Sequence, residues 1–142
     1  MPDASVMTRE EVEAFLDREF PQIRGQGRYA VEAVGPLSAR VRLGFEERHL
    51  RPGGTLSGPA MMALADLSLY VAILASIGPV GLAVTTNLSF NFLRKPARAD
   101  LVADCRLIKL GKRLAVGEVE LRSDGESGIV CHATGTYSIP QR

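Results

Sequence analysis

Near the start of the chain the apolar residues Val12, Phe15, Leu16 and Phe20 recur every three or four positions, the spacing of one helix face. Thr8 with Glu11 three residues on forms a capping-box pattern, and Pro21 is a stop, so the pattern predicts an amphipathic helix over residues 7–20. From Tyr29 the period changes to two. Ala39, Val41, Leu43 and Phe45 alternate with Ser38, Arg40, Arg42 and Gly44, as in a half-buried strand. A Pro/Gly loop at residues 51–54 leads into an almost unbroken apolar run, residues 59–77, which Gly78 and Pro79 stop. Its one charge is Asp66. Leu88, Phe90 and Phe92 then alternate with Asn87, Ser89 and Asn91, and three more strand-like segments follow at 101–109, 113–122 and 128–139. Gly111 and Gly125 fall where tight hairpins would use positive φ.

The predicted order is a helix, one or two strands, a long apolar helix and four strands read as an antiparallel meander. A sheet of this kind needs one face covered, and only the 59–77 helix is apolar enough to cover it. The fold class is therefore α+β: a curved antiparallel sheet wrapped around a central helix, the hotdog architecture. A single domain is expected over residues 1–142, with an N-terminal helical segment at 1–27 and the hotdog core at 28–142.

Composition narrows the function. The 142 residues carry 17 Lys+Arg against 16 Asp+Glu, a formal net charge of +1, which gives no electrostatic case for nucleic acid or an anionic membrane. Tryptophan is absent and 6% of residues are aromatic, too few for a base-stacking platform. Between Asp66 and Gly78 lie eleven uncharged residues, short of the roughly 20 needed to span a bilayer. No signal-peptide pattern opens the chain, and two cysteines do not make a disulfide framework, so a reduced cytoplasmic protein is expected. Two isolated histidines, His49 and His132, lack metal-ligand spacing, and no metal is expected.

Asp66 is the informative residue. A carboxylate on so apolar a helix is paired, solvated by a pocket or kept for a task. Just before the helix stands Ser57-Gly58-Pro59. Pro59 suits the first helical position, with Ser57 or Gly58 as cap, and a free Gly58 N–H at the helix start could stabilise negative charge on a carbonyl oxygen.

These residues resemble the active-site segment of hotdog thioesterases of the phenylacetate-degradation (PaaI-like) type, a pattern N-x-x-G-x-x-H-G-G followed by L-A-D. Gly54, Gly58, Leu64, Ala65 and Asp66 match it in register. The resemblance continues at residues 85–94 (TTNLSFNFLR), at Leu110-Gly111-Lys112-Arg113 and in the strand Ala133-Thr134-Gly135-Thr136-Tyr137. It departs where the family's Asn, His and second Gly are Arg51, Ser57 and Pro59, and where a strand Asp is Asn87.

The resemblance implies hydrolysis of an acyl-CoA or related thioester. Asp66 would act as general base or nucleophile, Gly58 N–H would polarise the carbonyl, and Thr85 would orient water or the carboxylate. Arg51 and Ser57 occupy the positions of the missing Asn and His; Arg51 would replace the Asn as a donor or pair with Asp66. Gly54, Arg94, Lys95, Gly111, Lys112 and Arg113 are candidates for binding the CoA moiety, with no other cofactor. The family forms its site between subunits, so Asp66 would face Gly58 of a partner in a homodimer, or in a tetramer built from two dimers. Two other readings are a hotdog protein that binds acyl-CoA or a lipid-like ligand without turnover, and a hydroxyacyl-thioester dehydratase. The second lacks an acid at Ala63, fourteen residues after His49, where its pattern wants one.

Overall fold

The computed structural model describes residues 5–25 and 27–140. The remaining residues of the expected 1–27 and 28–142 segments lie outside that description. Helices α1 (Arg9–Glu19) and α2 (Pro21–Gly25) precede strands β1 (Tyr29–Gly35) and β2 (Ser38–Leu43). A 3-10 turn at Glu47–His49 leads to helix α3 (Gly58–Ile77). Strands β3 (Val84–Phe92), β4 (Leu101–Leu110), β5 (Leu114–Ser123) and β6 (Ile129–Ser138) complete the order.

The capping box at the start of α1 is formed. Thr8 Oγ1 accepts the Glu11 N–H at 3.1 Å, and Glu11 Oε1 accepts the Thr8 N–H at 2.9 Å. Val12, Phe15 and Leu16 are buried, and the Glu13 carboxylate accepts the Val31 N–H at 3.1 Å, tying α1 to β1. Pro21 stops α1 as expected, but the chain turns there directly into α2.

The six strands form one antiparallel sheet in the order β1-β2-β4-β5-β6-β3. This corrects the four-strand meander. β4, β5 and β6 do run as hairpins, but β3 leaves β4 and pairs with β6 at the far edge. The cause is the connection at 93–100, which contains Pro96 and is too long for a tight hairpin. It frees β4 to pair with β2. The hairpin glycines also differ: Gly125 has φ +85°, whereas Gly111 does not adopt positive φ. An extra residue in β4, Ile108, bends the strand before its turn, which closes by the Gly111 N–H donating to the Leu114 carbonyl at 2.8 Å.

Helix α3 packs across the sheet, in contact with all six strands. Its cap is Ser57, whose Oγ accepts the Ala60 N–H at 3.2 Å, so Gly58 takes the first helical position and Pro59 the second, one later than expected. By length and composition alone α3 would pass for a membrane span, but 78% of its most apolar window is buried inside the fold, as expected of the helix that covers the sheet. Leu64, Leu69, Ile73 and Leu74 are at most 1% exposed. The helix comes this close because Gly117 and Gly135 face each other across β5 and β6 beneath Leu69. A Cβ at Gly135 would stand 2.5 Å from one Leu69 methyl and 2.7 Å from a Leu88 methyl.

Gly135→Ala is therefore expected to lower stability by about 1–3 kcal/mol. Combined with Leu69→Ala, its cost should shrink, since the clash is with that side chain. Denaturant unfolding of the two single variants and the double variant checks this; simple additivity would contradict the packing account.

Candidate active site

Asp66 leaves α3 on the face shared by Ala63, Leu67 and Tyr70, and it is half-buried. Ser68, a nearby hydroxyl, turns back to the Leu64 carbonyl at 2.7 Å and takes no part. The donors come from the sheet. Thr85 Oγ1 donates to Asp66 Oδ1 at 2.7 Å, and the Tyr137 hydroxyl donates to the same oxygen at 2.6 Å, with the Asp66 carbonyl 3.0 Å away as a second acceptor. Among the described residues Oδ2 has no hydrogen-bond partner, which leaves one oxygen of an oriented carboxylate uncommitted.

Thr85 reaches this position through a β-bulge. Strict alternation would put Thr85 on the outer face with Asn87, Ser89 and Asn91, and Thr86 on the inner face with Leu88, Phe90 and Phe92. The β3–β6 register slips between Thr85 and Asn87, so Thr85 pairs with Tyr137 while Asn87 pairs with Thr136. One extra residue thus turns Thr85 inward beside Tyr137. Tyr137 itself is only 4% exposed. Burial, then the Asp66 charge and their mutual hydrogen bond, push its phenol far above the ordinary value of 10.0, so it stays a proton donor through the neutral range. The family resemblance points to Thr85 but does not single out Tyr137 as a site residue. The signal was present in the β6 alternation Cys131, Ala133, Gly135, Tyr137, all inward, but its partner strand was not readable.

Asp66, Thr85 and Tyr137 open into a cavity of about 590 Å³, walled by Tyr70 from α3 and by Phe20 and Ile23 from the N-terminal helices. Gly58 is not in it. Gly58 lines a second cavity, of about 440 Å³, with Arg51, Phe92, Arg94 and Lys95. Within one chain Arg51 thus stands with Gly58, not with Asp66. Ser57 caps α3, and Gly54 takes φ +82° and accepts Arg98 Nη1 on its carbonyl at 3.2 Å. Gly111, Lys112 and Arg113 are exposed at the β4–β5 turn, just beyond the row Val84–Ser138–Leu114 at the Thr85 end of the sheet. Arg94 and Lys95 follow Phe92 at the other end. No group of three or more His, Cys, Asp or Glu among the described residues could hold a metal ion.

The family model for the thioesterase superfamily matches residues 53–130, which include Gly58, Asp66, Thr85 and strands β3, β4 and β5. The chain belongs to the thioesterase superfamily. Its relatives include a provisionally named esterase from Pseudomonas aeruginosa, 35% identical over 119 residues, covering 78% of this chain and 87% of the relative. The crystal structure of a provisionally named thioesterase from a Silicibacter species is 48% identical, with a TM-score of 0.87 over 96% of this chain and 94% of that one. A variant of the phenylacetic acid degradation protein PaaI from Thermus thermophilus is 26% identical, with a TM-score of 0.72 over 84% of this chain and 99% of that one. The resemblance to PaaI-type thioesterases, the hotdog fold and the thioesterase class are thereby borne out.

The three tyrosines of this thioesterase, Tyr29, Tyr70 and Tyr137, are all raised above 10.0, in each case chiefly by burial. Phenols that ionise near 10.0 unfolded and higher when folded stabilise the fold fully below that pH, and the contribution is lost as pH rises beyond it. In the folded protein, phenolate absorbance is expected to appear at higher pH than in the unfolded chain, where it appears near the ordinary value of 10.0. A reversible titration of any tyrosine near its ordinary value in folded protein would contradict the burial described.

Proposed function

We propose that this protein hydrolyses acyl-CoA thioesters, with Asp66 as general base and the Gly58 N–H of a partner subunit as oxyanion donor. The observation that carries the reading is the carboxylate clamp: Oδ1 is held by two hydroxyls while Oδ2 is left for water at the edge of a cavity. Asp66 Oδ2 takes a proton from water, the hydroxide attacks the thioester carbonyl, and the tetrahedral oxyanion accepts the Gly58 N–H at the start of α3. Collapse of the intermediate breaks the C–S bond and releases the acid, and the proton held on Asp66 passes to the departing CoA thiolate, which restores the carboxylate.

A partner is needed because Asp66 and Gly58 are eight residues apart on α3, about 12 Å along its axis, and open into different cavities. Strand β3 is a sheet edge bearing the exposed apolar residues Val84 and Phe92, with exposed Leu93 just past its end. Such an edge favours pairing with a second copy. Two-fold antiparallel pairing of β3 sets the Val84 end of one strand against the Phe92 end of the other, and so brings each Asp66 cavity to a Gly58 cavity. The same operation gathers Lys112 and Arg113 of one chain with Arg94 and Lys95 of the other, a set of cations suited to the CoA phosphates. A reducing cytoplasm suits the two buried free thiols, Cys105 and Cys131.

Release of free thiol from short, medium, long and aryl acyl-CoAs tests the reading. Asp66→Ala is expected to lose at least about 100-fold in kcat while keeping its fold and oligomeric state. Tyr137→Phe and Thr85→Val should each lose about tenfold in kcat with KM little changed, because they orient the carboxylate without holding substrate. Turnover that survives Asp66→Ala would overturn the assignment. Single turnover in heavy-oxygen water should place the label directly in the acid product; an unlabelled first product would make Asp66 the nucleophile instead.

A further inference from the structure

We infer that Phe20, carried by the N-terminal helices, is the wall of the acyl pocket that limits the length of the acyl chain. The inference rests on the reading of Asp66 as the hydrolytic carboxylate, and it concerns residues outside the 53–130 segment that the family model matches. The cavity beside Asp66 is bounded by one face of α3 and by the sheet residues Thr85 and Tyr137, and the α1–α2 corner supplies Phe20 and Ile23. Without that corner the side of the cavity they occupy would be open.

The corner is built to hold a side chain in place. The Phe20 N–H donates to the Leu16 carbonyl at 2.9 Å, Pro21 prevents α1 from continuing, and the Ile23 N–H returns to the Phe20 carbonyl at 3.2 Å. Val12, Phe15, Leu16 and Ile23 anchor the two helices, each at most 6% exposed. Phe20 is different, being only partly buried. Its ring meets Tyr70 edge-on, with centroids 6.1 Å apart and planes at 86°, and Tyr70 stacks on Tyr137 at 6.2 Å and 21°. Tyr137 in turn holds Asp66. A row of aromatic rings therefore runs from the carboxylate to the N-terminal helices. An acyl group whose carbonyl sits at Asp66 has this apolar row as its path, and Phe20 stands at its outer end. The ligand class is an uncharged, apolar acyl chain. The Glu19 carboxylate, also lining the cavity and paired with Arg18 at 3.2 Å, would disfavour a chain ending in a second carboxylate.

Straight-chain acyl-CoAs of increasing length, tested on Phe20→Ala and Phe20→Trp, decide the matter. In kcat/KM the Phe20→Ala protein is expected to gain about tenfold for long over short chains relative to wild type, and Phe20→Trp to shift the other way. The ratio between chain lengths does not depend on the folded fraction, so partial misfolding does not mimic the effect. An equal loss at every length, or profiles that superimpose on wild type, would make Phe20 a packing residue and overturn the inference. The same length series is read as binding affinity by calorimetry on Asp66→Asn protein, with and without Phe20→Ala. Failure of wild type to turn over any acyl-CoA would then overturn the hydrolase reading alone, while the binding series still decides Phe20: a length preference that moves with the substitution supports it, and one that does not overturns it.

Discussion

A carboxylate on the central helix sets the terms for much of this structure. Asp66 is the only charged side chain of α3, and the helix around it is almost wholly buried against the sheet. A half-buried charge in such surroundings is costly unless hydrogen bonds replace the water it loses. Two hydroxyls from neighbouring strands do so, one from Tyr137 on β6 and one from Thr85 on β3. The clamp constrains the sheet in return. It requires β3 to lie beside β6, it requires a one-residue bulge to turn Thr85 inward, and it requires α3 to approach closely enough for 2.6–2.7 Å contacts. The facing glycines Gly117 and Gly135, which leave room for Leu69, meet the last requirement.

What could be read from the sequence divides along local and non-local lines. The capping box, the apolar helix, the alternating strands and the odd carboxylate are properties of neighbours in the chain, and each is found as expected. The hotdog architecture followed from the need to cover one sheet face with the one helix able to cover it. The meander failed because strand neighbours are set by which hairpins can close, and residues 93–100 do not close one. Thr85 illustrates the same limit. Its resemblance to a family position suggested a role, yet alternation alone points its side chain away from Asp66, and only the pairing of β3 with β6 shows the bulge that reverses it. Tyr137 is not legible from its neighbours in the chain because its importance lies in what it touches 71 residues earlier. Gly111 shows that a glycine in a turn is not always there for positive φ: a bulge elsewhere in the strand supplies the bend.

The departures at Arg51, Ser57 and Pro59 look less disruptive in three dimensions than in a motif. Ser57 keeps a structural task as the cap of α3, and Pro59 sits in the first turn, where a missing N–H costs little. Gly58 keeps its N–H at the helix start between them. Arg51 remains beside Gly58 with Arg94 and Lys95, on the cavity opposite the carboxylate. The chain thus places a carboxylate with its orienting hydroxyls in one cavity and a helix N-terminus with cations in another. On the proposed reading neither half would be sufficient alone. An exposed, partly apolar edge strand is the feature that offers a way to join them.

Subunit complementation tests this division most directly. Asp66→Asn and Gly58→Val chains are each expected to be inactive alone, the first lacking the base and the second blocking the carbonyl at the helix start. Unfolded together and reassembled in equal amounts, they would form hybrid dimers in which one site carries both defects and the other carries neither. Random pairing then predicts recovery of about a quarter of wild-type activity. No recovery from mixed dimers of normal assembly would contradict the account, since it would mean that each chain builds its site by itself.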